Sequence, residues 1–224
     1  MILNFILWFI CELIEIFAIV KIYKKVESKV KSRFYFICLC IFTVIIAPLA
    51  SLINLLLYYI ILMVQPFLFY AYFYKKEKLP NYLSLFLSFF LYLATQASST
   101  FFSVIISSIT GDQFVKSNWA IFYITINSIS VLFMLKSIDY FEFQLRDFKD
   151  SSFKKTVQKI NIYYFLTILI LNVSHWLSED DHFNSFSSML ATICFLIFMT
   201  TLFYLKAIRE KYEKEEEIRQ RELE

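Results

Sequence analysis

Apolar residues run almost unbroken through seven stretches of this chain: Ile2 to Ile22, Phe34 to Ile53, Leu55 to Tyr74, Tyr82 to Thr110, Trp119 to Leu135, Ile160 to Leu177 and Phe186 to Leu205. One bilayer crossing takes roughly 20 mostly apolar residues in a helix, so the pattern predicts an all-α, polytopic integral membrane protein with about seven transmembrane helices. The second and third stretches are nearly continuous. They are divided at Ser51 to Asn54, because Phe34 to Tyr74 is about twice one crossing; Pro48 and Pro66 can bend helices as well as end them. Polar breaks separate the others, at Lys24 to Arg33, Lys75 to Asn81, Gly111 to Asn118, Lys136 to Lys159 and Ser178 to Ser185. The first stretch has no basic residue ahead of its apolar run, carries Glu12 and Glu15 inside it and lacks a small-residue cleavage site. It is expected to be a retained helix rather than a signal peptide.

Composition agrees and closes off several functions. With 224 residues, 59% of them hydrophobic and 20% aromatic, seven spans leave no room for a soluble enzyme domain. Gly111 is the only glycine, which excludes the usual phosphate-cradling loops, since these need several residues free to take positive φ. The two histidines and four cysteines give neither a zinc cage nor a disulfide framework, and Cys11, Cys38, Cys40 and Cys194 all fall within apolar runs as small hydrophobes. No cofactor, metal or nucleic-acid partner is expected.

The net charge of +3 matters through its placement. With the C-terminus cytoplasmic and the N-terminus outside, 21 of the 22 basic residues fall in cytoplasmic segments, leaving only Lys116 outside. Removing one central span would put basic loops on both sides. The outer segments keep Asp112, Glu179, Asp180 and Asp181 and are net acidic.

Glu12 and Glu15 lie three residues apart, on one face near the middle of the first span, where a carboxylate costs at least a few kcal/mol unless it is paired or protonated. They are either an acidic floor to an outward-opening pocket or proton site, or neutralised carboxyls that fix helix packing; His175 is a candidate partner. Ser99, Ser103 and Ser107, like Ser84 and Ser88, recur every four residues and read first as a close-packing face. Gln65, Gln96, Asn127, Asn161 and Asn172 read as hydrogen-bonding links between helices. The outer sequence from His175 to His182 matches no metal spacing and reads as a solvated loop that attracts cations. The stretch Lys136 to Lys159 mixes basic residues with Phe141, Phe143, Phe148 and Phe153, a composition suited to lying on the inner leaflet. Residues Arg209 to Glu224 place opposite charges at helical spacing and read as a helix leaving the membrane.

Two stretches carry a family resemblance: Phe102-Ser-Val-Ile-Ile-Ser-Ser-Ile-Thr-Gly-Asp-Gln-Phe-Val115 and His182-Phe-Asn-Ser-Phe-Ser-Ser-Met-Leu190. They resemble the fourth-span ending and the last-span start of the membrane sensor half of Gram-positive peptide-pheromone receptor histidine kinases, the competence-pheromone (ComD-type) group within the AgrC-like class. The resemblance implies a cell-membrane, multi-pass receptor that binds a secreted cationic peptide and signals to a cytoplasmic kinase, as a homodimer, through a response regulator. Residues 1–207 would then be the transmembrane peptide-sensing domain and 208–224 the start of the signalling helix. The phosphoacceptor and ATP-binding regions of that family are not among these residues, so no catalysis is expected of the chain alone. The expected peptide site comprises Glu12, Glu15, Asp112, Glu179, Asp180 and Asp181 for charge, Phe114, Trp119, Trp176 and Phe183 for apolar contact, and Lys116 for an acidic group. The competing expectation is a small transporter or exporter component using Glu12 and Glu15.

Overall fold

A computed structural model describes residues 2–26, 36–41, 46, 55–111, 118–141, 144–148, 153–177 and 184–223. The described residues form helices and no strand: α1 (Ile2–Val26), α2 (Leu55–Lys75), α3 (Asn81–Thr110), α4 (Trp119–Tyr140), α5 (Lys154–Leu177) and α6 (Asn184–Leu223), with a helical stretch at 36–41 and a short 3₁₀ turn at Leu145–Phe148. Four helices, over Asn81–Thr110, Ile121–Tyr140, Lys154–Leu177 and Ser185–Glu222, are long and apolar enough to cross a membrane.

The bundle is organised around α3, which touches each of the other five helices. Between Leu83 and Ser98 nearly every one of its side chains is buried, whichever way it points. A helix covered all round must lie at the centre of its bundle. Small hydroxyl residues make this possible: Ser84, Ser88 and Ser98 are wholly buried, and each turns its hydroxyl back to a carbonyl of its own chain, as Ser84 does to Leu79 and Pro80 at 3.1 Å. They let neighbouring helices approach without leaving an unsatisfied polar group. The helix stops at Gly111, whose φ of 80° suits a residue without Cβ and whose N–H closes on the Ser107 carbonyl.

Polarity is distributed inside out relative to a protein in water. Asn172, Thr167, Ser174 and Ser187 are buried, whereas Ile162 is 61% exposed and Leu196 55% exposed on the outward faces of α5 and α6. An outer surface of this kind suits hydrocarbon, and the inner hydrogen bonds hold helices together where lipid supplies no hydrophobic drive.

One end of the bundle gathers positive charge. There Lys25 at the end of α1 pairs with Asp139 at the end of α4, and Lys206 of α6 donates to the Tyr140 carbonyl at 3.3 Å and lies 4.4 Å from the Tyr140 ring centre. In the described part of the connection after α4 the phenylalanines pack inward and not onto a surface, which corrects the expectation for Phe141, Phe148 and Phe153; Phe143 lies outside the described residues. Phe141, Phe148 and Phe153 are buried, against Phe203, Phe86 and Tyr212 respectively. Its last residues, from Lys154, belong to α5.

Candidate functional site

Mid-span polar residues of three helices converge where α1, α3 and α4 meet. Gln96 stands halfway along α3 and donates from Nε2 to Glu15 Oε1 of α1 at 2.8 Å. One turn on, Ser99 donates to Asn127 Oδ1 of α4 at 2.8 Å. Between them lies a cavity of about 30 Å³, walled by Glu15, Gln96, Ser99, Asn127 and Ser130 together with small apolar residues. A space of that size holds a water molecule, and the buried Ser130 hydroxyl on its wall has no hydrogen-bond partner among the described residues. No lysine or arginine lines it.

The same stripe of α3, on which Tyr92, Gln96 and Thr100 recur every four residues, carries a second polar thread to α5. Thr100 Oγ1 and His175 Nε2 of α5 are 2.8 Å apart, and Tyr92 shares hydrogen bonds of 3.0 and 3.3 Å with Asn172 of α5. His175, a candidate partner for Glu12 and Glu15, meets Thr100, and the donor to Glu15 is Gln96. Beyond His175, α5 and α6 are clasped reciprocally: Ser174 Oγ donates to the Ser187 carbonyl at 2.8 Å and Ser187 Oγ to the Ser174 carbonyl at 2.6 Å. Ser174 lies three residues before the end of α5 and Ser187 three residues after the start of α6.

Of the residues expected to bind peptide, Glu15 is half-buried in the polar cluster, and Trp176 is 59% exposed near the end of α5. Glu12 and Trp119 lie within α1 and α4, but their side chains are outside the described structure. Asp112, Phe114, Lys116, Glu179, Asp180, Asp181 and Phe183 fall outside the described residues. Sequence reasoning identified Glu15, Gln96 and Asn127 as separate polar points and missed that they form one cluster. Their shared mid-span depth was the available signal. Among the described residues no group of three metal-ligating side chains occurs, and Cys38, Cys40 and Cys194 are free thiols. No family model, curated protein or solved structure matches this chain.

Proposed function

We propose that the chain is the membrane sensor of a peptide receptor, with seven spans, the N-terminus outside and the basic end of the bundle in the cytoplasm. Support for the seventh crossing comes from the directions of α1 and α2. Tyr23 near the end of α1 packs 5.1 Å from Phe73 near the end of α2, so both helices finish at the basic end. A further crossing between Val26 and Leu55, in the window Phe34 to Ile53, fits those directions. Phe36 of that window packs 4.5 Å from Tyr23.

The observation that carries the sensor reading is α6. It is a single helix of 40 residues, about 60 Å long, roughly twice the thickness of the hydrocarbon core. Its outer end is clasped by Ser174, its middle packs through Phe198 on Phe90 of the central helix, and its far half is a charged rod with Arg209 to Glu213 and Lys211 to Glu215 ion pairs. A peptide drawn to the acidic residues that follow α5 in the sequence would favour one packing of α5 and α6, and the rod would carry the change inward. By the resemblance, the receiver is a dimeric cytoplasmic histidine kinase acting on a response regulator.

The polar cavity at Glu15 favours a second reading, a small transporter. The two are separated by reconstituting the purified chain in vesicles. A sensor binds a cationic amphipathic peptide saturably and passes no ions; a transporter gives cation or proton flux that Glu15→Gln abolishes.

A further inference from the structure

A second and larger recess lies away from the Glu15 cluster, between α3 and α5 at the basic end. Its volume is about 560 Å³, within the range of small-molecule sites. At its mouth are Asn81, in the first turn of α3, and Lys154, the first residue of α5 and the only charged residue on the lining. Deeper in, the walls become apolar through Leu85, Phe89, Ile162 and Phe165. Phe67 of α2 packs edge-on against two of these rings, 5.9 Å from Phe89 and 6.3 Å from Phe165.

Two features specify the occupant. The charge at the mouth is positive, and the Asn81 and Tyr82 amides precede the first helical bonds of α3, which Leu83 and Ser84 make to the Pro80 carbonyl, so the mouth favours an anion. From Asn81 to Phe89 is about 12 Å along α3 and from Lys154 to Phe165 about 16 Å along α5, each close to the depth of one leaflet of a 30 Å hydrocarbon core. We propose that the recess is a site for one anionic phospholipid, of the phosphatidylglycerol class, drawn from the inner leaflet. Its phosphate sits at Lys154 and the α3 terminus, and an acyl chain follows Phe89 and Phe165. Such basic recesses between helices are a recurrent way of selecting anionic lipid on the cytoplasmic side. The inference rests on the membrane placement proposed above, not on peptide sensing.

The test is native mass spectrometry of the full chain in detergent, offered equal amounts of phosphatidylglycerol and phosphatidylcholine. The expected result is preferential retention of a single phosphatidylglycerol, with the preference reduced about fivefold by Lys154→Glu, an exposed position whose replacement leaves the helical circular-dichroism spectrum intact. Ile162→Gln, on the apolar wall, should shorten retention of both lipids. Equal retention of the two lipids, or a preference untouched by Lys154→Glu, overturns the proposal. Binding of free glycerol 3-phosphate with the same Lys154 dependence also overturns it, since the site would then serve a soluble anion. A failed peptide titration leaves this result standing, so the two readings fail separately.

Discussion

Gln96 Nε2 and Glu15 Oε1 stand 2.8 Å apart although 81 residues separate them in the chain. The contact fixes the rotation of α1 against the central helix at a depth where hydropathy alone leaves every rotation equivalent. Gln96→Leu removes the donor and strands the carboxyl, which should destabilise the chain by about 1–3 kcal/mol in detergent unfolding. Adding Glu15→Leu should recover part of that loss, because both partners are then apolar. Additive effects of the two changes would mean that the pair does not hold the helices.

The Ser174 and Ser187 hydroxyls are 3.1 Å apart, which brings their Cβ atoms within reach of a disulfide. In a background lacking the native cysteines, Ser174→Cys with Ser187→Cys should cross-link on mild oxidation. If the α5–α6 clasp moves in signalling, the oxidised protein binds peptide but shows no peptide-dependent change at a spectroscopic probe on the charged half of α6, and reductant restores it. A full probe response from the cross-linked protein would place the signal elsewhere.

Side-chain accessibility tests the crossing count. Lys116→Cys should react with a membrane-impermeant thiol reagent in intact cells, and Lys76→Cys only after permeabilisation. Labelling of both positions from outside contradicts seven spans.

The Lys25–Asp139 ion pair should matter far less than Gln96 despite its full charges. Asp139 is 62% exposed, and solvent-exposed pairs contribute about 0–1 kcal/mol. Asp139→Asn is expected to change stability by less than about 1 kcal/mol, with a still smaller effect at high salt.

Hydropathy located the six long helices described but not their ends, and most of the window Phe34 to Ile53 lies outside the described residues. The apolar window of the first span closes at Ile22, whereas α1 continues to Val26 through Tyr23, Lys24 and Lys25. The last span closes at Leu205, whereas α6 runs to Leu223. Lysine and glutamate are good helix formers, so the backbone stays hydrogen-bonded past the point where apolar side chains stop. The tail carries opposite charges at helical spacing as expected, pairing Lys206 with Glu210, Arg209 with Glu213 and Lys211 with Glu215. Which residues face one another was not legible either. Gln96 and Asn127 were readable as links between helices, but their partners depend on helix rotation, and α3 has no apolar stripe to set it because it is covered on all sides. The burial of Phe148 and Phe153 was hidden for a related reason, since an aromatic-basic connection reads alike whether it lies on lipid or closes a bundle. Of the expected peptide-binding set, Glu15 could be placed in a cluster because its partners are mid-span. The acidic residues of the outer connections rest on charge placement alone.

The most direct measurement is a titration of a cationic amphipathic peptide pheromone against the detergent-purified chain, at low and high salt, with Asp180→Asn/Asp181→Asn beside it. Saturable binding that salt weakens, and that the double substitution both weakens and makes less salt-dependent, is the predicted result. Binding unaffected by the substitution would remove the acidic connection from the site. Folded protein that binds no such peptide and passes cations in vesicles would contradict the receptor account.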